Sequence, residues 1–411
     1  MNEFLILKDF CDEYRDFGNA HMVDFIHGDF SQKYLNSGML GDEFRRKIDA
    51  CKELIEKKLT KVEDLKKELK SENEILAPDS PKVKDMPDKK SYEISQLSHL
   101  IADVCQTTGA DHVIDVGAGK GTSTEVKIDC VGDVVRPDCL PGVVSGRKSV
   151  LVGLHCCGDL SSVLCHLSEI IEEIVGLVLV PCCYHHLSEE SELEGNSKID
   201  RYSTGIARGL TKEEIANSEV QKTDICERFI GFPMSNIFRN QNLILGQNAR
   251  MLACHSEDRI QSDSSLKSVF FRALLKEFLM EFFPDFAVDA DGKDVRVGKI
   301  FAKAAKVEKD DRKMFEEYVK LAGKRLKIPD INEEYLKKAG EMLEKFTAGQ
   351  KYEDLREIEG LRNLYAKIAE YLILADKMNF LEESVKWRKS AGIQIFDPKM
   401  SPRAYCLLAY K

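Results

Sequence analysis

With 411 residues, 43% of them hydrophobic and 32% charged, the chain has room for one large domain with insertions or two to three ordinary ones, and the balance of a soluble globular protein. No apolar run approaches the ~18 to 20 residues that a bilayer-spanning helix requires, so no membrane segment is expected. A net charge of −10 excludes a chain that coats nucleic acid non-specifically, because that affinity is built from phosphate neutralisation.

The first residues, MNEFLILKDFCDEYRDFGNA, interrupt their apolar positions with acids and offer no basic stretch before a small-residue cleavage site. A cytoplasmic or nuclear location is the expectation. The thirteen cysteines are an odd number in a long chain, which predicts reduced thiols and not a disulfide framework.

Residues 1–80 read as a helical N-terminal region: Phe44, Ile48, Cys51, Leu54, Ile55, Leu59, Val62 and Leu65 recur at three- and four-residue steps. LAPDSPKVKDMPDKK, with three prolines among charges, then marks a boundary near residue 80. SYEISQLSHLIADVCQTTG predicts a helix stopped at Gly109. Val113, Ile114 and Val116 follow as a short strand apolar on both faces, as in a parallel sheet. Two more strands, Val150 to Leu154 and Ile174 to Val180, each run into a turn, and the cadence predicts βαβ units over residues 86–204.

Residues 205–390 read as a mainly helical insertion. Residues 391–411 change character again: IQIF and AYCLLAYK flank DPKMSPR, which predicts a C-terminal hairpin returning to the core sheet. Ten Lys or Arg against five acids between Lys299 and Lys327 give the insertion a local basic excess, which on helices is usually a solvated face.

Three loops carry the chemistry. In DVGAGKG, Gly117, Gly119 and Gly121 let the backbone turn sharply after the strand ending at Asp115 and approach a ligand too closely for a Cβ. GLHCCGDL, with His155, Cys156, Gly158 and Asp159, and VPCCYHHL, with Cys182, Cys183, Tyr184 and His185, both lie at the C-terminal ends of predicted parallel strands. Open α/β sheets place their ligand crevice there. Soft thiols and imidazoles also suit zinc, but adjacent Cys-Cys pairs without a C-x₂₋₄-C spacing argue against a metal site, and none is predicted. A Cys183 nucleophile beside His185 is a further option, without an oxyanion hole to support it.

The order DVGAGKG, GLHCCGDL, PCCYHHL, GFPMSN, ARMLACHS and FDPKMSPR, with KKSYEISQL ahead of the first strand, is similar to the methyltransferase-like protein 25 family over most of residues 86–411. The resemblance implies a Rossmann-like class I methyltransferase sheet using S-adenosylmethionine. By it, Asp115, Gly117, Gly119, Lys120 and Gly121 would form the cofactor loop, with Cys156, Gly158 and Asp159 beside it. Cys182, Cys183 and Tyr184 would face the acceptor, while Lys89, Lys90 and Glu93 cover the pocket. His155, Cys183, Tyr184 and His185 are the candidate catalytic residues, and the implied acceptor is RNA or protein.

One stretch departs from the pattern. After Gly121 the residues TSTEVKIDCV read as a strand within about four residues, too soon for a helical crossover to a parallel neighbour. A segment holding the first helix and second strand is therefore expected to be absent, with VKIDC standing for a later strand. Glu125 and Asp129 are the nearest acids, at offsets far from the ~20 residues of a ribose-binding carboxylate. This speaks against full activity and leaves a second reading, a non-catalytic interaction protein on a degenerate methyltransferase fold.

Overall fold

The computed structural model describes residues 3–21, 34, 39–69, 87–116, 128–131, 144, 146–189, 231–255, 263–288, 297, 299–329 and 331–411. Gly117, Gly119, Lys120, Gly121 and Glu125, and the proline-rich stretch near residue 80, lie outside them. The chain divides into two compact units, one of Met1–Gly18, Lys47–Ser256 and Tyr365–Lys411, the other of Asn19–Arg46 and Glu257–Leu364.

The first unit is built on a six-stranded sheet of order β2-β1-β3-β4-β6-β5, with β1 His112–Val116, β2 Ile128–Val131, β3 Ser149–Cys157, β4 Ile174–Cys182, β5 Lys389–Gln394 and β6 Tyr405–Tyr410. β1 to β4 run parallel, and the C-terminal hairpin adds β6 antiparallel to β4 and β5 antiparallel to β6. The expected Rossmann-like parallel sheet, with its returning hairpin, is what the chain forms. β4 is buried at every position, which is why IVGLVLVPC shows no alternation: helices cover both its faces.

Ile128–Val131, the end of the TSTEVKIDCV stretch, pairs in parallel with β1, Ile114 opposite Asp129, on the side away from β3. It thus takes the position of a second strand, and the reason is the edge of β1, whose backbone groups would otherwise lack a ladder partner.

Helix α1 (Leu5–Glu13), α2 (Arg15–Asn19), α3 (Asp42–Lys58) and α4 (Val62–Leu69) precede α5 (Asp88–Thr108), which ends in a left-handed Gly109 at φ 66°. α4 and α5 give Leu65, Leu69, Leu97, Leu100 and Val104 to one face of the sheet, against Val113, Val150, Val152, Val178 and Leu408. Gly176 makes that seat: an added Cβ would lie 2.8 Å from a Val104 methyl, closer than atoms pack. α6 (Leu160–Ile170) packs on β3 and β4. Two short helices follow, α7 (Asn236–Arg239) and α8 (Gln247–Leu252).

The second unit is helical, with α9 (Asp263–Phe282), α10 (Ile300–Val307), α11 (Asp311–Leu326) and α12 (Glu333–Ala348). Its core centres on Phe271, whose ring lies 5.0 Å from Phe315, 5.4 Å from Phe301 and 5.7 Å from Tyr318. Asp310 and Asn332 start α11 and α12 by accepting backbone N–H groups of the first turn. Helix α13 (Lys351–Glu382) ends in the first unit, where Leu374 and Met378 reach β5 at Gly392. Among the described residues no helix is long and apolar enough to cross a membrane.

Candidate functional site

β3 and β4 keep one register from Val150↔Gly176 to Gly153↔Leu179, then resume at Cys156↔Pro181 and Cys157↔Cys182. β3 therefore spends one extra residue between these points, a bulge at Leu154 and His155. The bulge holds His155 at φ 60°, a left-handed conformation seldom adopted outside glycine. Its ring is one-third exposed, and Nε2 lies 3.1 Å from Oε2 of Glu93 on α5. Ser401 Oγ donates to the other Glu93 oxygen at 2.6 Å, and Lys89 Nζ stands 3.6 Å away. Burial alone would raise the Glu93 carboxyl, but the hydrogen bonds from His155 and Ser401 hold it below the ordinary range. Nδ1 of His155 has no hydrogen-bond partner among the described residues.

The two paired-cysteine turns meet. Cys157 and Cys182 lie opposite each other in the ladder with Sγ atoms 3.1 Å apart, and the Gly158 N–H donates to the Cys182 carbonyl at 3.0 Å. Gly158 has φ 55° and packs on His186: an added Cβ would come 2.7 Å from the His186 Cβ. Cys183 at φ 51° turns its own thiol back, so that the sulfurs of Cys157, Cys182 and Cys183 all lie within 4.8 Å of one another. The sequence argument that neighbouring cysteines cannot share a point fails here because strand register contributes one thiol and a left-handed residue redirects another. Hydrogen bonds from Cys157 and Cys182 hold the Cys183 thiol well below the usual thiol range, while the same contacts push Cys182 up.

Tyr184 is buried and its hydroxyl donates to Glu370 Oε1 at 3.3 Å on α13, with Arg403 5.7 Å over its ring. Burial pushes its phenol far up. His185 places Nδ1 3.4 Å from the Cys254 thiol. Cys156 and Asp159 point inward: Cys156 is fully buried, and Asp159 accepts the Ser188 N–H at 2.7 Å. Ser188 Oγ accepts the Gly231 N–H at 3.0 Å, tying the GFPMSN stretch under the second loop.

Below this stretch lie charges that no motif announced. Asp376 on α13 accepts the Met234 N–H at 2.7 Å, the Ser235 N–H at 2.9 Å and the Ser235 hydroxyl at 2.8 Å. Its neighbour Lys377, fully buried, donates to Ser162 Oγ and stands 3.5 Å from the Gly231 carbonyl. Burial pushes the Lys377 ammonium down. Glu189 and Arg250 form a second buried pair, with Glu189 also accepting the Gly246 N–H at 2.9 Å.

Asp115 sits half-buried near the end of β1, facing Val152 of β3 across the ladder. Burial raises its carboxyl, and among the described residues no donor reaches it. Hollows of about 650 and about 110 Å³ lie among α3, α4, α5 and β5, and neither is lined by any residue of the three loops.

Residues 142–190, which hold β3, β4 and both paired-cysteine turns, match the family described as Methyltransferase domain. The chain is similar to probable methyltransferase-like protein 25 of Mus musculus, 29% identical over 268 residues, and of Homo sapiens, 30% identical over 270 residues, each covering 64% of this chain. The likeness to that family expected from the loops is thereby borne out. The matched stretch spans 37% of the length of each of these relatives. No solved structure matches the chain.

Proposed function

We propose that the chain is an S-adenosylmethionine-dependent methyltransferase whose cofactor lies over the C-terminal ends of β1 and β3. The cofactor supplies an activated sulfonium methyl, so the protein's tasks are alignment, exclusion of water and, for a weakly acidic acceptor, removal of a proton. Asp115 suits the ammonium of the cofactor's amino-acid moiety: a half-buried carboxylate without a protein donor among the described residues.

His155 is the residue we assign to proton removal. With Nε2–H directed at the ionised Glu93, the tautomer leaves the Nδ1 lone pair free to accept a proton at the strand end. That Glu93–His155 pair, held by the β3 bulge, is the observation that carries the reading. Tyr184 does not share the role, because its hydroxyl is buried against Glu370. RNA and protein are the acceptor classes to test.

Calorimetric titration of S-adenosylmethionine and S-adenosylhomocysteine into the full chain tests cofactor binding, and tritiated methyl transfer to total RNA or to protein tests the reaction. His155→Asn is expected to keep binding and lose transfer. An absence of heat with the native chain would leave the fold without the activity, and favour the non-catalytic interaction protein.

A further inference from the structure

We propose that Cys157, Cys182 and Cys183 bind one zinc ion through three thiolates, with the fourth coordination position open at the strand ends. The inference rests on this cluster and is independent of methyl transfer. Three sulfurs held about 2.3 Å from one Zn²⁺ in tetrahedral geometry stand about 3.8 Å apart. The cluster brackets that spacing, with Cys157 and Cys182 at 3.1 Å and all three sulfurs inside 4.8 Å. Small rotations about χ1 therefore suffice to seat the ion, with no backbone movement.

The backbone is built to make this cluster. β3 delivers Cys157 opposite Cys182 only because the bulge restores register after Gly153, and Cys183 gives up ordinary backbone geometry to point at its neighbours. A left-handed non-glycine residue costs on the order of 1 kcal/mol or more and persists where the surroundings over-determine it. Three thiolates around Zn²⁺ leave a net charge of −1, which the solvent-facing side of the cluster at Cys157 screens.

Three thiolates are one ligand short of the closed tetrahedral set of a purely structural site. Cys157 is exposed and Cys183 half-exposed, so the vacant position faces solvent and accepts water or a nitrogen, oxygen or sulfur donor of a ligand.

The test uses the full chain purified without chelator and dialysed against a weak one. Elemental analysis is expected to give about one equivalent of zinc, and exchange with Co²⁺ a near-ultraviolet thiolate-to-cobalt charge-transfer band. Cys157→Ser and Cys183→Ser should each lose the metal and the band, while Cys105→Ser, on α5 outside the cluster, keeps both. Circular dichroism of each variant separates metal loss from unfolding. If a variant unfolds, the native protein still decides: a mercurial thiol reagent should release zinc in step with three reacting thiols. Native folded protein without metal or cobalt band would overturn the proposal, and so would a Cys157–Cys182 disulfide found in peptides from anaerobically purified material.

Discussion

Replacing Asp376 by alanine isolates the buried carboxylate that anchors the Gly231 to Ser235 stretch. Its oxygens accept two backbone N–H groups and one hydroxyl, all within 2.9 Å, in a place closed to water. The variant leaves both N–H groups buried without that acceptor, and at about 1–3 kcal/mol for each unsatisfied group the loss is about 2–6 kcal/mol. Since 1 kcal/mol moves the midpoint of a 150–250-residue domain by about 2–4 °C, a fall of roughly 10 °C is expected in thermal melts followed by circular dichroism. Ser235→Ala removes the hydroxyl donor to Asp376 and the cap that accepts the Phe238 N–H, and should cost about 1–2 kcal/mol while leaving both backbone N–H bonds in place. Equal and small shifts for the two variants would refute the reasoning, since they would mean that the carboxylate does not hold the loop.

Glu93 gives a pH dependence with a definite sign. Its folded carboxyl is held below the ordinary value of 4.5, so the stability it adds is present above that value and lost as pH falls through the folded one. Glu93→Gln should therefore flatten the acid side of the urea midpoint between roughly pH 6 and pH 3, and a profile parallel to that of the native protein would count against the His155 contact. Gly158→Ala puts a side chain on a left-handed backbone and 2.7 Å from His186, and is expected to destabilise by about 2–4 kcal/mol in urea titrations. Asp115→Asn trades a charged acceptor for a neutral one and should weaken calorimetric S-adenosylmethionine binding about tenfold, equivalent to about 1.4 kcal/mol, with the melting temperature unchanged or raised.

What the sequence revealed was what local pattern encodes. The apolar runs of β1, β3 and β4 and the two short runs flanking DPKMSPR in the C-terminal hairpin are short-range signals, and so is Gly109 as a helix stop. Position at a strand end then singled out His155 and the cysteine pairs. Partnerships across the fold stayed hidden: Glu93 and His155 meet because α5 crosses the end of β3, and Ser401 joins them from the hairpin loop. The convergence of Cys157 with Cys182 depends on a bulge and a register, neither of which spacing encodes. One signal was available and unused. Asp376 and Lys377 interrupt YLILADKMNF, and paired charges in a stretch apolar all round a helix mark a buried polar anchor.

The insertion of β6 between β4 and β5 also sets a folding order. Gly176 pairs with Tyr410, so the centre of the sheet closes through contacts between segments far apart in the chain. Before Tyr405–Tyr410 docks, the wholly apolar β4 carries a bare edge, and a nascent or refolding chain in that state is exposed to strand-to-strand association with its own copies. Dilute, chaperone-assisted expression at low temperature answers that hazard, and the yield of soluble chain will depend on how quickly its final hairpin reaches the gap.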